Sequence, residues 1–225
     1  MTSAQISLLA LVPAAYLAGS VPFGLMIGLS RGVDPRKAGS GNIGASNVGR
    51  LLGAKFFAMV FVLDLCKGLL PTLAAGALLR FNAADALSYS LWISVGFAAI
   101  FGHMFSIFLA FKGGKGVATS AGVVLGVFPY YTLAGLIALL TWAIIFKLTR
   151  YISAASMIAA VVFALAYLAL GLSLDWDVFG KQLPLLLFAL LVAAMILLKH
   201  RSNFARLRAG SEYRFRGETE KQMDA

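Results

Sequence analysis

The chain is poor in charge, in acidic side chains, in cysteine and in histidine, and each shortage removes a class of function. Only 12% of its residues are charged, about half the share usual in a soluble domain. The one cysteine, Cys66, sits inside an apolar run, so no disulfide can close within the chain and no cysteine cluster can hold a metal. His103 and His200 form no metal-ligand pattern, and Asp34 and Asp64 lie too far apart for the aspartate cluster of a metal-dependent phosphotransferase. Lys115 is followed by Gly116 where a Walker A loop needs serine or threonine, which removes support for nucleotide hydrolysis. There is no Gly-x-Ser-x-Gly elbow, and so no obvious protein nucleophile. Internal repeats and heptads are also missing.

What fills the chain instead is apolar. With 60% hydrophobic residues and a mean hydropathy of +0.88, it holds more apolar surface than a soluble core of this length could hide. The expected fold is therefore an all-α polytopic membrane protein. Runs of about 20 apolar residues can cross the hydrocarbon core, and clear ones lie at 5–29, 56–79, 87–111 and 152–171. A further run, 183–198, is short but framed by Lys181 and Lys199, which can snorkel to the interfaces. The apolar stretch between Lys115 and Lys147 breaks at Phe128-Pro129-Tyr130 and reads as two helices, for seven spans in all. The first run is too long for a signal-peptide core and has no basic residue ahead of it, so it is expected to stay as a membrane helix.

An odd number of spans puts the termini on opposite sides. With the N-terminus outside, only Arg80 and Lys181 face outward and Lys67 lies within a span, while every other lysine and arginine falls inside. That split predicts a periplasmic N-terminus and a cytoplasmic C-terminus. The expected organisation is a single transmembrane domain over 1–216 and a polar, disordered tail over 217–225. The net charge of +10 does not point to nucleic acid, because the basic residues sit in short loops between apolar runs instead of on one solvated face.

The polar chemistry gathers in those inner loops. Between Arg31 and Arg50, Gly39, Gly41 and Gly44 can let backbone approach a ligand, and Ser40, Asn42, Ser46 and Asn47 offer hydrogen-bond donors around Arg50. Gly113, Gly114, Lys115 and Gly116 immediately precede an apolar helix, whose free amides can hold an anion. His200 and Asn203 are close to one helical turn apart and can share a face. Ser153 follows Arg150 at the inner end of a span, where it can contact substrate. His103 reads equally well as a packed or a catalytic residue, and a structural role is assigned to it. Asp64 and Lys67 are spaced as helix neighbours within a span, and mutual neutralisation is their expected use.

Gly39-Ser-Gly-Asn-Ile-Gly-Ala-Ser-Asn-Val48 with Arg50, Gly102-His103 with Phe111-Lys-Gly-Gly-Lys-Gly-Val-Ala-Thr119, and His200-Arg-Ser-Asn203 with Gly210-Ser-Glu212 resemble, in order, the three motifs of the bacterial membrane-integral acyl-phosphate:glycerol-3-phosphate acyltransferases. The resemblance runs from the first span to about Phe215. It implies a seven-helix enzyme of the inner membrane with its site facing the cytoplasm. Such an enzyme uses acyl phosphate, not acyl-CoA or acyl carrier protein, and makes 1-acylglycerol 3-phosphate without metal or organic cofactor.

Carried over by motif, Ser40 and Arg50 are the essential serine and arginine, and Gly113 to Gly116 the phosphate loop. His200 and Asn203 match the active pair, and Glu212 the structural glutamate. Three departures stand out: Ser46 replaces a usual threonine, Ser106 a frequent proline, and Ala110 a common lysine. The last two bear on the shape and charge at the inner end of the third span. Expected partners are acyl phosphate, glycerol 3-phosphate and membrane lipid, with no nucleic acid or nucleotide. A monomer is compatible with the sequence.

An acyl phosphate is already activated, so a substrate hydroxyl can attack it without an acyl-enzyme. The His-x4-Asp pattern of the other large glycerolipid acyltransferase class is missing, since Phe108 and Ala205 occupy the aspartate positions. Lys115, Arg50 and glycine amides are expected to hold two phosphates, one per substrate, with the proton leaving to His200 or to a phosphate oxygen. A transporter of an anionic metabolite is the alternative from another class. It would place its site near mid-membrane between repeated halves, whereas here the motifs gather at one face.

Overall fold

Thr2 starts the first helix by accepting from the Gln5 amide at 3.2 Å, while the Gln5 side chain accepts from the Thr2 amide at 2.9 Å. This reciprocal cap opens α1, Ser3–Ser20. The computed structural model describes residues 1–81 and 85–215. The expected tail over 217–225, with Arg216 and Lys221, lies outside the described residues. Beyond α1 come α2 (Phe23–Ser30), α3 (Ala45–Leu52), α4 (Ala54–Leu78), α5 (Ala86–Met104), α6 (Val117–Gly126), α7 (Thr132–Thr149), α8 (Ile152–Ser173), α9 (Leu183–Lys199) and α10 (Arg201–Arg208). No strand occurs among the described residues.

Two close helix pairs organise the bundle, and small residues make both possible. A Cβ at Gly19 would overlap the Ala99 carbonyl and one at Gly102 the Tyr16 carbonyl, so α1 and α5 meet backbone to backbone. Gly68 against Thr119 and Gly122 against Leu65 do the same for α4 and α6. The most buried helix is α5, with Tyr89, Trp92, Val95 and Ala99 in the core. Helix α7 packs against α8 and buries only Ala134, so most of its surface is left to lipid.

Several polar groups inside the apolar zone are paired, as a solvent without hydrogen bonds favours, while the buried hydroxyls of Thr119 and Ser120 in α6 make no hydrogen bond among the described residues. Trp92 donates to the Thr72 carbonyl at 2.8 Å, Tyr131 to the Leu185 carbonyl at 2.5 Å and Tyr167 to Gln182 at 2.9 Å. Asp64 and Lys67 form the ion pair their spacing predicts, at 2.8 Å.

The chain is a multi-pass membrane protein, and its spans differ from the simple reading in three places. Five segments are long and apolar enough to cross, Ser3–Ser30, Ala54–Leu78, Ala86–Leu109, Thr132–Thr149 and Ile152–Ser173. The first is broken at Val21–Pro22, between α1 and α2. A sixth is available if α9 and α10, bent by 56° from each other, count as one. The stretch between Lys115 and Lys147 does form two helices, but α6 has only 10 residues, about 15 Å, too short to cross alone. The glycine-rich segment read as a loop also contains a helix, α3, with Gly44 at its start and Gly53 at its end.

Candidate active site

The N-termini of α3 and α6 converge on a cavity of about 100 Å³. Gly44, Ala45 and Ser46 line it from one helix and Gly116, Val117 and Ala118 from the other. Amides in the first turn of a helix have no intrahelical acceptor, so both ends present donors and a positive dipole. Arg50 and Lys115 add two cations to the same walls, joined by Ser40, Asn42, Asn47, His103, Ser153, His200 and Asn203. Phe57 and Phe61 from α4, Trp142 from α7 and Ile152 from α8 give it an apolar side, and Asp64 of α4 and Ser156 of α8 complete the lining.

A second cavity, of about 200 Å³, shares Ser40, Asn42 and Lys115 with the first. Gly41, Gly113, Gly114, Lys199, Ser202 and Arg206 complete it, so three cations and no carboxylate line it. It has no apolar wall. Two spaces with cationic walls thus meet at one serine, one asparagine and one lysine.

Burial pushes Lys115 down to about 8, with Arg206 and Arg50 adding to the fall and Glu212 opposing it. Burial likewise lowers Arg50 from its ordinary value against the pull of Glu212. Lys115 donates to the Asn203 side-chain oxygen, and Asn203 donates onward to Glu212 at 2.7 Å. Glu212 also accepts from Ser153 at 3.0 Å and from Arg206 at 2.8 Å. Its side chain is 1% exposed, so it works as the buried hub that fixes Lys115, Asn203 and the C-terminal segment together. His200, at the bend between α9 and α10, places Nδ1 2.8 Å from the Ile196 carbonyl. A carbonyl only accepts, which assigns the proton to Nδ1 and leaves Nε2 with a lone pair.

Several expected contacts serve the scaffold instead. The amide of Asn47 is fully used inside its own loop: Oδ1 accepts from the Ser40 amide at 2.8 Å, and Nδ2 donates to the carbonyls of Pro35, Ala38 and Asn42 at 2.8–3.1 Å. Gly39 makes room for that side chain, since a Cβ there would overlap Asn47 Oδ1. The amides of Gly113 and Gly114 donate to Met104 and His103 carbonyls at 3.2 and 3.0 Å, so these two glycines cap α5 and have no amide left for a phosphate. Ser153 gives its proton to Glu212. Asn42 lines both cavities but accepts from the Gly44 amide at 2.9 Å, which shapes the entry to α3. Ser106 donates to the Ser20 carbonyl at 2.6 Å, which anchors the C-terminal end of α5 to α1.

Sequence reasoning missed Phe57, Phe61 and Trp142, because aromatic residues in apolar runs look like lipid-facing ones. Rings chain across the mouth between α4 and α7: Phe61 to Phe57 at 6.0 Å, Phe57 to Phe215 at 5.6 Å, Phe215 to Phe146 at 5.9 Å and Phe146 to Trp142 at 5.0 Å. Lys199 was expected only as an interfacial anchor. Its place just before His200 is the signal that could have put it at the site.

A family model described as "Glycerol-3-phosphate acyltransferase" matches residues 9–210. Glycerol-3-phosphate acyltransferases of Roseiflexus sp. (strain RS-1) and Aquifex aeolicus (strain VF5) are 45% and 41% identical, over 93% and 91% of this chain and 96% and 97% of theirs. Crystal structures of PlsY (YgiH), an integral membrane glycerol 3-phosphate acyltransferase, are 40% identical and cover 93% of this chain and 96% of that one. The glycerol 3-phosphate form superposes with a TM-score of 0.79 and the lysophosphatidic acid form with 0.77.

Proposed function

The chain belongs to the glycerol-3-phosphate acyltransferase family, and from that premise we propose that it moves a fatty acyl group from acyl phosphate to the 1-hydroxyl of glycerol 3-phosphate. The products are 1-acylglycerol 3-phosphate and phosphate, the first acylation of phospholipid synthesis. The observation that carries this reading is the pair of cavities meeting at Ser40 and Lys115. One combines cations with an aromatic wall, which suits a phosphate joined directly to an acyl chain. The other is polar throughout, which suits the phosphate of glycerol 3-phosphate.

With the two phosphates held on either side of Lys115, the glycerol hydroxyl faces the acyl carbonyl, and positioning supplies much of the rate. Arg50, Ser40 and the amides at the starts of α3 and α6 hold the leaving phosphate and the oxyanion. A donor of this kind contributes about 10²–10³ in rate. The hydroxyl oxygen bonds to the carbonyl carbon, its proton passes to His200 Nε2, and the carbon–oxygen bond to phosphate breaks. Asn203 and Glu212 keep Lys115 in place, while Asn42 and Asn47 build the loop around Ser40. Ser46 and Gly116 contribute polar surface at the two helix starts, and Ser153 fixes Glu212. No metal or cofactor is given a role.

The distribution of lysine and arginine between the loops favours seven spans, a periplasmic N-terminus and a site facing the cytoplasm of the inner membrane. Residues 1–216 act as one domain. The test is purified protein with palmitoyl phosphate and labelled glycerol 3-phosphate in EDTA, beside palmitoyl-CoA as donor. Lysophosphatidate formed from acyl phosphate alone supports donor, acceptor and metal independence together. Product from palmitoyl-CoA alone overturns the donor.

A further inference from the structure

Asp64 and Lys67 are buried in α4, at 3% and 5% exposure. A pair that only neutralised itself would need no further partner and no place at a ligand cavity. Here Asp64 lies on the wall of the aromatic-walled cavity, beside His103 of α5. Asp64 Oδ1 is 2.8 Å from Lys67 Nζ and 3.7 Å from His103 Nδ1, the latter an electrostatic contact too long for a hydrogen bond, and Nδ1 has no hydrogen-bond partner among the described residues. Lys67 in turn donates to the Val21 carbonyl at 3.0 Å, at the break between α1 and α2. Charged groups kept at such depth are costly unless used.

His103 grips the glycine loop from two sides. Its carbonyl accepts from the Gly114 amide at 3.0 Å, and its ring packs so closely on Gly114 that a Cβ there would overlap Nε2. The next residue is Lys115, which reaches both cavities. The line therefore runs from the Asp64 carboxylate through the His103 imidazole and the Gly114 backbone to the ammonium between the two phosphates.

We propose that Asp64 and His103 are positioning residues for the phosphate loop: Asp64 orients the His103 ring, the ring sets the height of Gly114, and Lys115 is thereby presented to both substrates. Lys67 balances the carboxylate and ties the arrangement to the broken first span. This rests on the acyltransferase reading above. The charge of Lys115 acts on the phosphates in ground state and transition state alike, so its misplacement raises KM more than it lowers kcat.

The experiment compares wild type, Asp64→Asn/Lys67→Gln, His103→Gln and the triple variant as purified full-length protein. The double variant removes both charges while keeping size, so no buried carboxylate is left unpaired. For samples that elute and melt like wild type, KM for both phosphorylated substrates is expected to rise about tenfold, with kcat within about threefold. The triple variant should be no worse than either parent, since the residues act in series. Wild-type KM values in a folded double variant would mean that the pair only neutralises itself, which overturns the proposal. If the double variant does not fold, unchanged KM in His103→Gln has the same force. If wild type transfers no acyl group, the acyltransferase reading fails instead. Calorimetric binding of inorganic phosphate then decides, about tenfold weaker in the variants or equal and against the proposal.

Discussion

The rate of acyl transfer should fall as pH rises through about 8, because burial holds Lys115 there. The sign follows from the lysine: its ammonium binds the phosphates, and a depressed pKa means that this charge is lost sooner than on an exposed lysine. Substrate phosphates have second pKa values of about 6, so they are already dianions and do not titrate in this window. One pH unit above its pKa about one lysine in eleven remains charged, so kcat/KM at pH 9 should be roughly tenfold below its value at pH 7. The assay is initial rates with palmitoyl phosphate and labelled glycerol 3-phosphate from pH 6.5 to 10, corrected for hydrolysis of the donor. Lys115→Arg stays charged throughout, so it should have a lower plateau, from altered geometry, and no decline near 8. A wild-type profile flat to pH 10, or the same decline in Lys115→Arg, would refute the assignment of Lys115 as the shared phosphate ligand.

Four other perturbations test separate parts of the site. His200→Ala should lower kcat by about 10²–10⁴ with little change in KM, and a loss below tenfold in steady-state assays would move the proton to a phosphate oxygen. Asn47→Ala removes the Oδ1 acceptor and both Nδ2 protons from its loop, about 3 kcal/mol at about 1 kcal/mol for each bonding group. The variant should become sensitive to trypsin between Arg31 and Arg50, and unchanged resistance would count against the scaffold role. Trp142→Ala should raise turnover of stearoyl over palmitoyl phosphate severalfold, whereas an unchanged ratio places the acyl tail elsewhere. Gly68→Ala forces a methyl into the Thr119 carbonyl and should cost about 1–3 kcal/mol, read as a lower melting temperature in detergent.

The membrane helices were legible because each is a long apolar run bounded by charge or proline, a signal that needs no tertiary partner. Pro129 marked the break between α6 and α7 for the same local reason. That α6 is short was legible too, since the stretch from Lys115 to Lys147 is barely long enough for two short helices, and packing against α4 fixes where α6 lies. Loop composition hid α3 because its glycines look like flexibility, while in place they form its ends and its contacts with α4.

At the site, the basic and polar residues could be named from local pattern, but their division of labour could not. Asn47 and Ser46 are adjacent, yet one is consumed by the loop and the other lines the cavity, a difference decided by which way α3 turns. His103 could not be connected to Asp64 from sequence, because α4 and α5 bring them together across 39 positions of chain.

The length of α4 has a consequence for the membrane the protein sits in. Its 25 residues extend about 37 Å, longer than a hydrocarbon core of about 30 Å, so the excess is taken up by tilt, by a bend at Pro71 or by the interfaces. Phe57, Phe61 and Asp64 lie on its first half and form part of the cavity wall. A thicker bilayer lets α4 stand more upright and a thinner one lays it down, which shifts that wall against α7. An enzyme supplying phospholipid is in this way mechanically exposed to the thickness of its own product's bilayer, and lipid tail length becomes a quantity its rate can register.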